Sequence, residues 1–216
     1  TPIKSSAASD VYKRQTNCYI IETKNKNAAA IYIGGDYDKI KDYLETNGLK
    51  LKKILLTHGH YDHFGGTADA AIDSGAEIFI SGNDSHMLSS RMDSLADFIC
   101  NESFKPITEY KEISEGSEII LDELKFKVIE TPGHTKGSVC YLCNDYIFTG
   151  DTLFALSMGR TDFPGGNPSE MHKSLLRLAE IKEDLNVCPG HNETTTLSFE
   201  KRNNPYLKEN PYEDLI

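Results

Sequence analysis

Apolar residues along the chain fall mostly in short runs of strand length, interrupted by turn residues and by a few stretches in helical register. Strand-like runs occupy 18–23 (CYIIET), 28–34 (AAAIYIG), 52–57 (KKILLT), 76–81 (AEIFIS), 117–121 (SEIIL), 126–131 (FKVIET), 138–143 (SVCYLC) and 146–150 (YIFTG). Helical periodicity covers 37–48, 65–75, 85–100 and 168–181, with Pro168 placed to open the last helix. Gly48 and Gly75 stand where two of these helices are expected to end. Many strands with few helices between them predict two sheets covered by helices, a layered α/β architecture. No repeat at a solenoid period and no low-complexity linker interrupts the pattern. The Gly/Pro-rich stretch 157–167 (SMGRTDFPGGN) is the candidate functional loop, and the polar tail 198–216 is too short for a second domain.

Composition narrows the picture. With 216 residues, 38% hydrophobic and 26% charged, the chain suits one large domain that buries a core without staples. A net charge of −10 argues against a nucleic-acid backbone as partner. It leaves an anionic small substrate open, because a bound dication reverses the local field. No apolar run approaches the ~20 residues of a membrane helix, so no membrane partner is expected. Residues 1–15 (TPIKSSAASDVYKRQ) lack both the apolar centre of a signal peptide and the alternation of a core strand. They read as a non-native leader ahead of a domain spanning 16–216, which implies that the natural first strand is missing. Five cysteines, Cys18, Cys100, Cys140, Cys143 and Cys188, read as reduced thiols of a cytoplasmic protein. Cys140 and Cys143 form a C-x-x-C inside a strand-like run, which would put them on opposite faces rather than around one metal.

The densest chemistry lies in THGHYDHFGG (57–66), which holds His58, His60, Asp62 and His63 directly after the strand KILLT. Imidazole and carboxylate are borderline ligands suited to zinc, iron or manganese. His58 and His60 can point the same way from an extended segment, while Asp62 and His63 diverge toward a second position. Three more candidates share this context. His134 in TPGHT, Asp151 in FTGDT and His191 in VCPGH each follow an apolar segment and a glycine that lets the backbone turn close to an ion. Seven such residues are too many for one four-coordinate structural zinc, and two ions account for the number. His86 and His172 sit inside helical patterns without a carboxylate cluster and are read as ordinary surface or core residues.

THGHYDH, GHT, GDTLF and PGH, in this order, resemble the metallo-β-lactamase superfamily of metallohydrolases over roughly 16–205. The resemblance implies a four-layer αββα sandwich with the metals at one edge of its two sheets. It implies that His58, His60 and His134 hold one metal, that Asp62, His63 and His191 hold the other, and that Asp151 bridges them. Main-class zinc β-lactamases carry a cysteine where this chain has Asp151, which argues against antibiotic hydrolysis. GDTLFALSMGRTDFPGG and EKRNNPYL are closer to the glyoxalase II branch and its short bacterial relatives, which cleave S-2-hydroxyacylglutathione thioesters. The thiol-recognising lysine of that branch matches Arg160. Two features depart from it: Glu193 replaces a tyrosine, and no helical glutathione-clasping domain follows His191.

The expected activity is thioester hydrolysis of a small acyl-thiol to a hydroxy acid and a thiol. Two divalent cations, zinc first with iron or manganese as alternatives, would acidify a shared water and stabilise the oxyanion. Asp62 would orient the resulting hydroxide as the catalytic carboxylate, and Arg160 with Phe163 would line the acyl or thiol pocket. The rival is a persulfide dioxygenase, which the resemblance ties to one iron on His58, His134 and Asp151. A lactonase, a nuclease and a non-catalytic metal-binding module are further readings. The first is separated by a substrate panel, the second opposed by the acidic surface, and the third by the complete ligand set.

Overall fold

The computed structural model describes residues 4–7, 16–35, 37–99 and 104–208. Strands β1 (Lys4–Ala7), β2 (Asn17–Glu22), β3 (Asn27–Ile31), β4 (Lys50–Leu55), β5 (Glu77–Ser81) and β6 (Lys111–Ile113) form one sheet in that order. Its first two pairings are antiparallel, and the pairings from β3 to β6 are parallel. The second sheet holds β7 (Glu118–Leu121), β8 (Leu124–Glu130), β9 (Val139–Cys143) and β10 (Tyr146–Gly150). After a small hairpin of β11 (Leu153–Phe154) and β12 (Ser157–Met158), β13 (Asn186–Pro189) and β14 (Thr195–Thr196) complete it in the order β14-β13-β10-β9-β8-β7.

The period of two along each strand separates three apolar layers. Tyr19, Ile21, Ala29 and Ile31 point between the sheets and meet Phe126, Val128, Tyr141 and Phe148 from the facing sheet. The intervening Ile20, Ala28 and Ala30 face outward, under Tyr37, Ile40 and Leu44 of α1 (Tyr37–Thr46) and Ala68 of α3 (Thr67–Ser74). On the far side, Cys140, Ile147 and Val187 are covered by Met171, Leu175 and Leu178 of α5 (Pro168–Ala179). The result is the expected αββα sandwich. Its inner strands read as unbroken apolar runs because both faces are covered.

Several expectations shift. The helix expected over 65–75 forms as α3, and an unanticipated single turn, α2 (Tyr61–Phe64), precedes it. Between them, Gly66 gives its N–H to the Ile33 carbonyl at 2.9 Å, which draws the chain off the helical path. The helix expected over 85–100 is not continuous. A 3₁₀ turn at Ser85–Ser89 leads through turns to the short α4 (Ala96–Ile99), and Leu95 sits at φ 62°. Asp84 occupies the N-cap position there but its side chain makes no capping bond, because its carboxylate is committed elsewhere. Without that cap, a segment rich in serines that compete for backbone groups does not hold a long helix. Residues 4–7, expected to lie outside the fold, pair with β2 as an edge strand, since ladder bonds at an edge need no alternating side chains. The rest of the 1–15 expectation lies outside the described residues. β6, β11, β12 and β14 were not anticipated, being too short for a periodic signal. Cys140 and Cys143 face different apolar layers, as their spacing implies, and Cys18, Cys140, Cys143 and Cys188 are buried outside any disulfide. Cys100 lies outside the described residues. Among those residues, no helix is long and apolar enough to cross a membrane.

Candidate metal centre

All seven candidate ligands meet at one edge of the sandwich. His58 and His60 follow β4, Asp62 and His63 ride on α2, and His134, Asp151 and His191 follow β8, β10 and β13. Strand ends converge here because the chain leaves both sheets on the same side, where open α/β sheets place their sites. His86, exposed in the 3₁₀ turn, and His172, half-buried on α5, stay outside the cluster.

The seven side chains form interlocking triads. His58, His60 and His134 are one, Asp62, His63 and His191 a second, and His58, His63 and Asp151 a third, with ligand atoms within 4.8 Å of one another in each. His60 Nδ1 lies 2.9 Å from His134 Nε2, and His63 Nε2 lies 3.2 Å from His191 Nε2. Nitrogens about 3.3 Å apart are what two ligands of one tetrahedral ion present at ordinary zinc–nitrogen bond lengths. Asp151 stands between the groups. One carboxylate oxygen is 3.3 Å from His63, and the other is 3.6 Å from His134 and 3.5 Å from His191. Asp62 reaches His191 Nε2 at 3.4 Å. The rings of His58, His60 and His134 stand nearly perpendicular to one another, with centroids 4.7–4.8 Å apart, so their edges converge.

The electrostatics fit cation binding. His58 Nε2 and Asp151 Oδ1 are buried without a hydrogen-bond partner, an arrangement that is costly unless something else fills it. Burial holds the imidazoles of His58 and His63 below the usual range, and lowers His60 to about 3. They are therefore neutral at physiological pH, the form that donates a lone pair to a metal. Burial by itself pushes the Asp62 carboxyl up, but His63 and His191 outweigh it and keep the group ionised well below the ordinary range. His134 Nδ1 lies 2.7 Å from the Arg160 carbonyl oxygen, which fixes the ring and leaves Nε2 for the centre. A Cβ on Gly190 would come within 2.5 Å of both Asp151 Oδ1 and His63, so only glycine brings His191 this close.

The loop after β12 forms the wall beside the first triad. Phe163 sets its ring edge-on to His60, with centroids 6.0 Å apart. Arg160 stacks on Phe163 at 3.7 Å. Its guanidinium forks onto Asp162 at 2.7 and 2.6 Å, so its charge is partnered within the loop rather than offered free to a substrate carboxylate. Sequence reasoning did not single out Tyr32 or Asp84. Tyr32 lies edge-on to His63, and Asp84 bonds the backbone between His58 and His60. Asp84 had the same signal as the ligands, an acidic residue just past an apolar strand. Tyr32 carried none, because an apolar run does not say which aromatic underlies a site.

The Metallo-beta-lactamase superfamily pattern matches residues 11–191. The chain is 35% identical over 199 residues to hydroxyacylglutathione hydrolase GloC of Haemophilus influenzae, covering 89% of this chain and 93% of that one. Among solved structures, it resembles the BLEG-1 B3 metallo-beta-lactamase, with a TM-score of 0.88 and 26% identity over 96% of this chain and 100% of the other. It also resembles TTHA1623 in a di-iron-bound form, with a TM-score of 0.81 and 32% identity over 93% of this chain and 99% of the other. Fold, ligand cluster and sequence agree: the chain belongs to the metallo-β-lactamase superfamily of metallohydrolases.

Proposed function

We propose that the protein is a thioester hydrolase of the glyoxalase II type, cleaving a small 2-hydroxyacyl-thiol to a hydroxy acid and a thiol. The observation that carries this reading is Asp151 standing between two complete triads, since a carboxylate in that place can be shared by two borderline cations, the arrangement that activates water for hydrolysis. Similarity to GloC, whose name gives hydroxyacylglutathione hydrolysis, supports the substrate class. His58, His60 and His134 would hold one divalent cation and Asp62, His63 and His191 the other, with Asp151 shared. Zinc is the proposed occupant, and the same donors suit iron, as in the di-iron form of TTHA1623.

When bound, these cations would supply an acidified water and a Lewis acid for the scissile carbonyl. The chain's own residues do the rest. Asp62, held ionised 3.4 Å from His191, would orient the attacking water through its carboxylate. Phe163 would present an apolar wall to the acyl group beside His60, and Arg160 would stiffen that wall. Arg160 pairs with Asp162 in this loop, so any contact of its guanidinium with the thiol half would be shared with that carboxylate.

The test is a substrate panel on protein reconstituted with zinc or with iron: S-lactoylglutathione, the lactoyl thioester of pantetheine, a γ-lactone, a chromogenic cephalosporin, and glutathione persulfide with oxygen recording. Thioester cleavage exceeding the other reactions supports the proposal. Oxygen uptake on persulfide with one iron per chain and no thioester cleavage would sink it.

A further inference from the structure

Asp84 lies at the end of β5, and its side chain is buried. Its carboxylate makes three bonds, all to loops that carry metal-ligand candidates. Gly59, between His58 and His60, donates its N–H to Oδ2 at 3.1 Å. Thr135, next to His134, donates its hydroxyl to Oδ2 at 2.6 Å, and Gly137 donates its N–H to Oδ1 at 2.8 Å. The two loops come from different sheets, one after β4 and one after β8. One carboxylate therefore ties together the two chain segments that must meet to complete the His58–His60–His134 triad.

The surroundings are shaped for this contact. A Cβ on Gly137 would come within 2.6 Å of the Asp84 carboxylate, so any side chain there would displace it. Thr135 is held in turn by Ser138, whose hydroxyl accepts from the Thr135 N–H at 3.1 Å and lies 2.7 Å from Thr135 Oγ1. The Thr135 hydroxyl has one proton and gives it to Asp84, so Ser138 is the donor in that last bond. All three groups facing Asp84 are donors, and only an acceptor at both oxygens satisfies them. An uncharged apolar staple could not replace it without orphaning two buried N–H groups.

We infer that Asp84 is a positioning residue for metal binding, a clamp that presets the distance between the His58–His60 loop and the His134 loop before an ion arrives. It rests on the metal centre and not on the choice of thioester as substrate. Preorganised ligands lose less freedom on binding, and partners of this kind typically change metal affinity by roughly 10- to 100-fold.

Asp84→Asn is the decisive variant. The asparagine amide would point N–H at N–H on one of the two glycines, while volume and shape stay nearly constant. Zinc affinity of the metal-free protein, measured by chelator competition, is expected to fall at least 10-fold. The visible absorption of the cobalt-substituted protein is expected to change shape, since the coordination angles relax. Leu44→Ala, in the outer apolar layer on α1, controls for stability alone and is expected to leave zinc affinity of the folded protein unchanged. Should Asp84→Asn not fold, Thr135→Val and Thr135→Ser carry the test. Valine removes one donor and is expected to weaken zinc binding several-fold, and serine restores it. Wild-type zinc affinity and cobalt spectrum in Asp84→Asn, or in Thr135→Val where the first does not fold, would overturn the inference. Failure of the unsubstituted protein to bind zinc would instead refute the metal reading itself.

Discussion

Tyr32 shows how much one residue can carry beneath a site. It is fully buried at φ 64°, a left-handed conformation that a bulky side chain adopts at a cost of about 1–2 kcal/mol. In return its hydroxyl accepts the Gly150 N–H at 2.6 Å, and its ring lies edge-on to His63 with centroids 5.2 Å apart. The residue thus supports a ligand on α2 and the backbone beside Asp151 together. Tyr32→Phe keeps the ring but orphans the Gly150 N–H, and is expected to lower stability by roughly 1–3 kcal/mol in denaturant unfolding. An unchanged midpoint would show that the bond is dispensable. The buried imidazoles make a second prediction. Burial keeps His58, His60 and His63 below the usual 6.5, His60 at about 3. Unfolded imidazoles take up protons below about 6.5 while these folded ones do not, so the unfolded state binds more protons there. Stability of the metal-free protein is therefore complete above about 6.5 and declines as pH falls toward 3, on the order of 1 kcal/mol per group per pH unit. Thermal midpoints at pH 7 and pH 5 measure this, and His60→Gln is expected to shrink the difference.

At the scale of elements, the site depends on where short segments stop. α5 is started by Asn167, whose side-chain oxygen accepts the N–H groups of Ser169 and Glu170 at 2.9 and 3.1 Å, with Pro168 in the first turn. The backbone N–H of Asn167 also bonds the Gly133 carbonyl at 2.8 Å, which anchors the loop carrying His134. Asn167→Ala is expected to cost about 1 kcal/mol of stability, read as a lower thermal midpoint with the zinc stoichiometry kept. This start was legible in the sequence because a proline after a polar residue is a local signal. The break-up of the expected 85–100 helix was not. Asp84 sits at the N-cap position of its first turn, and the approach of Gly59, Thr135 and Gly137 from distant strands engages the carboxylate instead. The one-turn α2 was equally hidden, since four residues cannot show a helical period.

For the whole molecule, a cation held by this cluster would act as a staple across the open edge of the sandwich. Its ligands come from loops after β4, β8, β10 and β13, drawn from both sheets. Anything that binds the folded state alone stabilises it by mass action, about 2.7 kcal/mol at a hundredfold excess over the dissociation constant. Chelation is expected to lower the thermal midpoint by several degrees, and added zinc to restore it. No shift would mean that the loops hold themselves without ions. On the proposed dinuclear reading, Asp151→Ala is expected to reduce bound metal from two ions per chain to one, with loss of most hydrolysis. Full turnover in that variant would exclude a dinuclear reaction.

The sequence by itself determined the sandwich and the set of candidate ligands that gather at its edge. Both rest on local information: a period of two that sorts apolar residues to opposite faces, and His or Asp placed after a strand and a glycine. Tertiary structure alone decided the rest. It set the Tyr32 hydroxyl against the Gly150 N–H beneath the site, and made Asp84 a clamp on two loops. Each of these depends on which residues distant in sequence arrive within hydrogen-bond reach. No pattern along a single segment encodes that distance, because the strands that set it belong to two different sheets.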